Sequence, residues 1–348
     1  MLADFPQRIL IEKDIRESVG KTLKELGLGN YCALICDPSL SELNRCMSKV
    51  LSASFDVDII EFKSMEKKYI ESLSKTVSGY NFVIGFGGGK AIDAAKYAAF
   101  LAKKKWVAFP TILSHDGVIS SRAIINENGK KYSVDAVNPI AILADLNIIK
   151  SAPYRNIAAG VGDLISNFSA VEDWKIASKA GKEQYHTIMA ELSLLSVRSV
   201  LQHPEEIKKK SYHGLEILLW SLISSGFAMN IYGSSRPCSG SEHNFSHALD
   251  MILQQSEVRS ASLSLHGEQV ALGTIVMTYL QGGDWKEIRD MMKKFSLPTT
   301  AKEIKIDGEI LVSALVNAAG VRDRYTILNE KKIDEKKAQE VLKKTGII

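Results

Sequence analysis

The sequence is poor in the residues that build disulfide scaffolds, membrane spans or nucleic-acid surfaces. Only four of its 348 residues are cysteine, Cys32, Cys36, Cys46 and Cys238. No pair has the C-x-x-C spacing of a zinc ribbon or a thiol redox motif. So few thiols in so long a chain make no disulfide framework, and a reducing cytoplasm is the expected compartment. An excess of one charge is also missing: 44 basic residues face 40 acidic ones, a formal net of +4. That balance is too even to imply a nucleic-acid partner. The short basic runs Lys103, Lys104, Lys105 and Lys208, Lys209, Lys210 have no interleaved aromatics for base stacking, and are expected as solvated helix ends. The first residues lack the basic-then-apolar pattern of a signal peptide. The longest apolar stretch, residues 215–231, is interrupted by Glu216, several serines and Gly226, so no membrane insertion is expected and it reads as a buried helix.

What is present is an ordinary globular composition, 45% hydrophobic and 24% charged, at a length that suits about two domains. Residues 31–36 (YCALIC), 58–62, 81–86, 106–110 and 139–145 read as strands. Helical spacing falls between them at residues 41–52, 65–78 and 90–103. Strands alternating with helices of this length signal a parallel sheet with crossover helices. Within residues 122–134, Asn128-Gly129 lies between two β-prone runs and predicts an antiparallel hairpin. After Pro153 the periodicity is almost entirely helical. The expected architecture is an α/β, Rossmann-like dinucleotide-binding domain over residues 1–152, with a β-hairpin, followed by an all-α domain over residues 153–348. The charged tail after Glu330 reads as a surface helix.

Between a strand and a helix stands Gly85-Phe-Gly87-Gly88-Gly89-Lys90. Glycines admit a phosphate close to the backbone, and the free N–H groups of a helix start attract it. It is not a Walker loop, because Ile84 and Ala91 occupy the required Gly and Ser/Thr places, and Lys90 ends the six-residue dinucleotide fingerprint. What remains is Gly-Gly-Gly-Lys-x-x-Asp, with Asp93 in the first helical turn, where the helix dipole favours a carboxylate. A tight turn for helix-to-sheet packing through Ala91, Ala94, Ala95 and Ala98 explains the same residues. The next strand runs into Pro110-Thr111-Ile-Leu-Ser114-His115-Asp116-Gly117, a polar loop where open α/β sheets line their ligand crevice. Thr111 and Ser114 suit a nicotinamide or its ribose, and Asp116 a substrate hydroxyl. Helix capping is the alternative.

Three of the seven histidines cluster. His243 and His247 lie four apart on one helical face, and His266 heads another apolar helix. Asp163 is a carboxylate in an otherwise apolar helix, and such groups are rarely buried without a partner or metal. Two or three imidazoles with one carboxylate suit Zn²⁺ with a coordination position left open. The pattern is not that of the zincins, and ordinary structural histidines remain the competing reading. His186, His203 and His213 are expected at the surface or at helix ends.

Taken together, these segments resemble the superfamily of glycerol dehydrogenases, dehydroquinate synthases and iron-containing alcohol dehydrogenases. The strings GFGGGKAIDAAK, FPTILSHDGVISSRA, AAGVGDLISN, GSSRPCSGSEHNFSHALD and LHGEQVALG are similar, within it, to the sn-glycerol-1-phosphate dehydrogenases. The resemblance implies a dehydroquinate synthase-like fold with catalysis in a cleft between its domains. It also implies zinc ligands Asp163, His243 and His266, with Asp116, Asp163 and His247 touching substrate. Asp116 and His247 are the implied catalytic residues. Gly87, Gly88, Gly89, Lys90, Ala91, Asp93, Thr111, Ser114 and Ser120 match the cofactor contacts, and Asp37 suits the adenosine ribose. NAD(H) and NADP(H) both remain open. The implied reaction is zinc-dependent reduction of dihydroxyacetone phosphate to sn-glycerol-1-phosphate, a precursor of archaeal-type ether lipids, by a homo-oligomer. Arg236 and Asn244 are candidate donors to the substrate phosphate, although Arg236 equally suits a carboxylate that holds its loop. A glycerol dehydrogenase acting on the unphosphorylated ketone is the main rival. A lyase of the dehydroquinate synthase type fits the glycine turn less well, and a catalytically dead binding module fits poorly with a full ligand set.

Overall fold

The computed structural model describes residues 5–127, 130–255 and 264–348. Six short runs pair side by side, all parallel: β1 (Arg8–Glu12), β2 (Tyr31–Cys36), β3 (Asp56–Glu61), β4 (Phe82–Gly87), β5 (Lys105–Pro110) and, later in the chain, β8 (Ala141–Asp145). Their order is β1-β8-β5-β4-β2-β3. Leu34, Phe82, Ile84, Val107, Phe109 and Leu143 bury completely in one cluster with the helices that cross over the sheet. Near-continuous apolar strands of this kind are what a sheet covered on both faces requires. The crossover helices are α1 (Val19–Glu25), α2 (Ser41–Ser52), α3 (Lys67–Val77) and α4 (Gly89–Leu101), and α5 (Leu146–Ser151) follows β8.

From β2 the chain crosses outward to β3, and from β4 it crosses the opposite way to β5. The carboxyl ends of β2 and β4 therefore flank a point where the winding reverses, the place where open α/β sheets bind ligands. β6 (Arg122–Glu127) and β7 (Lys130–Asp135) form the expected antiparallel pair, while the Asn128-Gly129 turn itself lies outside the described residues. Strand β1 and helix α1 have no counterpart in the sequence reading. β1 is a five-residue edge strand whose partner, β8, is far along the chain, so no local periodicity announces it.

Helices make up the rest: α6 (Tyr154–Ile165), α7 (Asn167–Lys179), α8 (Thr187–Leu201), α9 (Pro204–Lys208), α10 (Tyr212–Tyr232), α11 (Ser241–Gln255), α12 (His266–Leu280), α13 (Trp285–Lys294), α14 (Gly308–Asn317), α15 (Ile327–Lys331) and α16 (Glu335–Lys344). The chain divides into a sheet unit, which runs to Leu113 and includes Gly117–Ala152, and a helical unit of Ser114–Asp116 with Pro153–Ile348. Among the described residues one helix, α10, is long and apolar enough to cross a membrane, with mean hydropathy 1.3. It is a core helix by packing. Leu215, Leu218, Leu219, Leu222 and Ile223 are all fully buried, as expected of a helix apolar on every side. The tail helix α16 is amphipathic and buries Ala338, Val341 and Leu342.

Candidate functional site

In the helical unit, two glycines decide where a carboxylate and an imidazole meet. Gly162 on α6 and Gly267 on α12 face each other so closely that a Cβ on Gly267 would lie 1.9 Å from the Ala159 carbonyl oxygen. No larger residue fits either helix there. A bidentate ion pair, Arg155 Nε and Nη2 to Glu268 Oε1 and Oε2 at 2.6 and 2.7 Å, holds the same two helices together. Each glycine is next to a polar residue in sequence, so the contact brings Asp163 beside His266.

His243 comes from α11. Its Nε2 lies 3.7 Å from Asp163 Oδ1, and His266 Nε2 lies 3.8 Å from the same oxygen. The three ligand atoms are within 4.8 Å of one another. Zinc bonds of 2.0–2.1 Å to N and O give tetrahedral edges of roughly 3.4 Å, so a small inward shift of the rings suffices. The donor set fits a divalent metal, and the second-layer bonds strengthen the fit. Glu242 Oε1 lies 2.8 Å from His243 Nδ1, and Ser246 Oγ lies 3.1 Å from His266 Nδ1. Partners on the Nδ1 side fix each ring's tautomer and turn the Nε2 lone pair toward a cation. Glu242 is itself fully buried and accepts from Ser169 Oγ and the Gly240 amide at 2.8 and 2.5 Å.

The charges agree with this arrangement. Burial works to raise the Asp163 pKa, yet attraction to His243 and His266 outweighs it and keeps the carboxyl below its usual range. Burial pulls His243 down, but its contacts with Asp163 and Glu242 win and hold it up at about 9. His266 is pushed down to about 4, by burial first and then by repulsion from His243. The triad therefore offers an ionised carboxylate, a neutral imidazole and an imidazole with one proton to release.

Asp116 and His247 border the triad. The Asp116 amide donates to Asp163 Oδ2 at 3.0 Å, and Ser225 Oγ donates to Asp116 Oδ2 at 3.1 Å. His247 lies one turn after His243, and its ring is stacked on that of His266 with centroids 6.1 Å apart. It is not in the metal-ligand group. Ser114 also packs with the helical unit. His203 and His213 sit edge to face near the start of α9 and α10, 5.5 Å apart, and His186 caps α8.

The sheet unit assembles a second group at the strand ends. Gly87 closes β4 with φ +147, a conformation that L side chains rarely adopt, and a Cβ there would lie 2.8 Å from Ala91 Cβ and 3.6 Å from Asp37 Cβ. Gly88 caps α4, which begins at Gly89 with Lys90 exposed. Thr111 donates its amide to the Gly87 carbonyl at 3.0 Å. Asp37, Gly87, Gly88, Gly89, Lys90, Ala91 and Thr111 thus share the reversal point between β2 and β4. Asp37 Oδ1 accepts from the Ser39 amide and hydroxyl at 2.9 and 2.7 Å. Helix-to-sheet packing accounts for part of the turn: Ala91, Ala94, Ala95 and Ala98 are fully buried.

Asp93 and Ser120, both nominated as cofactor contacts, are bonded within the sheet unit. Asp93 accepts from Lys96 Nζ and from the Ile124 amide, both at 3.0 Å, and Lys96 also donates to the Gly117 and Arg122 carbonyls. That buried pair ties the β6–β7 hairpin to α4. Ser120 Oγ accepts from the Arg122 amide at 3.0 Å. Arg236, a candidate phosphate donor, takes its alternative role. It is completely buried, lies 2.9 Å from Glu183 Oε2 and donates to the Tyr325 carbonyl at 2.6 Å.

Two residues that the sequence reading did not single out bond the imidazoles of the triad: Glu242 and Ser246. Glu242 directly precedes the imidazole it bonds, so a carboxylate next to a ligand histidine was the available signal, whereas Ser246 bonds His266 across two helices and had none. The contact of Arg322 Nε with Asn244 Oδ1, at 2.8 Å, joins α11 to a distant segment and was likewise not legible.

A parallel sheet with a glycine turn, and a helical unit in which Asp163, His243 and His266 could hold a metal ion, are features of the alcohol dehydrogenase class of oxidoreductases. The iron-containing alcohol dehydrogenase profile matches residues 10–153. A probable glycerol dehydrogenase from Sinorhizobium meliloti has the same fold, with TM-score 0.80 at 20% identity over 99% of this chain and 98% of that one. Glycerol-1-phosphate dehydrogenase [NAD(P)+] of Thermococcus sibiricus is 39% identical over 100% of this chain and 98% of its own length. Its namesake from Pyrococcus horikoshii is 40% identical over 100% and 99%. The chain belongs to the glycerol-1-phosphate dehydrogenase family, a family of NAD(P)-dependent oxidoreductases.

Proposed function

We propose that the enzyme reduces dihydroxyacetone phosphate to sn-glycerol-1-phosphate, with zinc bound by Asp163, His243 and His266 and with NADH or NADPH as hydride donor. The observation that carries this reading is the meeting of two Nε2 atoms on Asp163 Oδ1, each ring fixed from behind by Glu242 or Ser246. Zinc at such a site supplies Lewis-acid polarisation of a carbonyl, and a nicotinamide supplies the hydride.

The chain's own groups do the rest. Asp163 gives one oxygen to the ligand set and keeps the other on the Asp116 amide, so the loop at residues 114–116 is anchored to the metal group. Asp116, steadied by Ser225, accepts a substrate hydroxyl. His247 supports the proton delivered to the product oxygen, a task suited to an imidazole whose unperturbed pKa is about 6.5. Gly87, Gly88, Gly89 and Lys90 receive the cofactor phosphates at the start of α4, with Thr111 and Asp37 beside them. Ser114 and Ser120 complete the cofactor contacts.

Four free cysteines suit a reducing cytoplasm, and the product suits ether-lipid backbone synthesis. Oxidation of NADH and of NADPH, followed with dihydroxyacetone phosphate and with dihydroxyacetone before and after chelation, tests the proposal. We expect the phosphorylated ketone to be preferred at least tenfold and chelation to abolish both rates. Preference for dihydroxyacetone would instead make this a glycerol dehydrogenase.

A further inference from the structure

We propose that Asn167, acting through Ser225, is a positioning residue for Asp116, an inference that rests on the function proposed above and names what aims the group that accepts the substrate hydroxyl. Asn167 ends the string AAGVGDLISN and opens α7. It follows the metal-group residue Asp163 by four positions, and both are buried. The reaction proposed above gives it no task.

Its Nδ2 lies 3.2 Å from Ser225 Oγ, and 3.3 Å from both the Ser193 carbonyl and Ser196 Oγ. An amide nitrogen donates and does not accept. It therefore occupies a lone pair of the Ser225 hydroxyl and leaves that hydroxyl to donate. Two acceptors are within reach, Asp116 Oδ2 and Cys238 Sγ, both at 3.1 Å. A carboxylate oxygen is a much stronger acceptor than a thiol sulfur. Burial pushes the Cys238 pKa up, so the sulfur keeps its proton and donates it to the Ser225 carbonyl at 3.2 Å. The Ser225 hydroxyl proton goes to Asp116.

The backbone of the same aspartate is held as well, since its amide donates to Asp163 Oδ2 at 3.0 Å. Bonds thus run from Asp163 through Asp116 and Ser225 to Asn167, and the chain from 163 to 167 closes the ring. Ser166 tightens that short arc, its Oγ donating to the Asp163 carbonyl at 2.5 Å. Asn167 and Ser225 are each only 1% exposed, so water does not compete for the bond between them. An acceptor fixed through both backbone and side chain is ordered before the substrate arrives, which spares the cost of ordering it on binding.

The test uses the full-length, zinc-loaded enzyme. It measures kcat and KM for dihydroxyacetone phosphate, and the inhibition constant of acetonyl phosphate, which keeps the carbonyl and the phosphate but lacks the hydroxyl. Ser225→Ala is expected to raise KM about tenfold, the effect of one hydrogen bond to a charged group, with kcat within about threefold. The inhibition constant of acetonyl phosphate should move less than about twofold, because a ligand without the hydroxyl makes no use of Asp116. A general disturbance of the site would weaken both ligands alike. Asn167→Ala should raise the same KM at least threefold, and the double variant should be no worse than Ser225→Ala, since residues acting in series are not additive. Should Asn167→Ala fail to fold, Asn167→Asp keeps the shape, takes the Ser225 proton in place of Asp116 and should raise KM likewise. Variants that bind zinc normally but keep the wild-type KM, weaken both ligands equally or add their effects overturn the positioning role and leave the proposed function standing. A wild-type enzyme that does not reduce dihydroxyacetone phosphate overturns that function, and the positioning with it.

Discussion

In the sheet unit, the residues at the reversal point lie at the ends of neighbouring strands, and the glycine turn that dominates them is one uninterrupted string. In the helical unit, Asp163, His243 and His266 come from three helices and meet only because α6 and α12 touch through Gly162 and Gly267. The first arrangement is written in local backbone needs: φ +147 at Gly87 and a helix start directly after it. The second depends on side chains converging from different places, so it is sensitive to substitutions that never touch a ligand. A backbone site tolerates side-chain change nearby, whereas a ligand site inherits every error in helix packing.

Changes to the ligand set should break that contrast most strongly. Asp163→Ala is expected to remove bound metal and lower turnover by about a thousandfold or more, since a metal-polarised carbonyl contributes several kcal/mol; metal analysis beside steady-state rates checks both. Glu242→Gln should weaken metal binding by roughly 10–100-fold while the fold persists, read by chelator competition at constant melting temperature. pH should act on the same equilibrium. His243 holds its proton up to about 9, and the metal must displace it. Apparent metal affinity should therefore fall about tenfold per pH unit below 9 and level off above it, whereas a flat profile from pH 6 to 9 would remove His243 from the ligand set.

His247→Ala should lower turnover by roughly 10²-fold and leave zinc bound; loss of zinc would make it a ligand. The smallest effect on the metal is expected from the sheet unit. Asp93→Asn leaves the buried Lys96 without its counter-charge, so it should cost about 3 kcal/mol of stability while metal affinity stays within about twofold. Thermal unfolding and metal titration of one preparation separate the two quantities.

Much of this was legible beforehand, and the reasons differ by element. Strands β2, β4, β5 and β8 are apolar runs, and α2 spans residues 41–52 because Leu43, Met47, Val50 and Leu51 repeat at helical spacing. The edge strand β1 was missed because its pairing with β8 is settled by partners far apart in sequence. Asp93 illustrates the opposite error of emphasis. A carboxylate in a first helical turn is favoured there by the dipole, but its hydrogen bonds go to Lys96 and Ile124, which no local pattern foretells.

The amino-acid order by itself determined the periodicities, the glycine turn and which few polar residues were chemically suited to a cation. Only the tertiary structure decided which of them meet. Hydrophobic spacing is a property of neighbours along the chain. The approach of Asp163 to His266, the hold of Glu242 on His243 and the reach of Arg322 to Asn244 depend instead on how helices close in space, where the absence of a Cβ at Gly162 and Gly267 sets the distance.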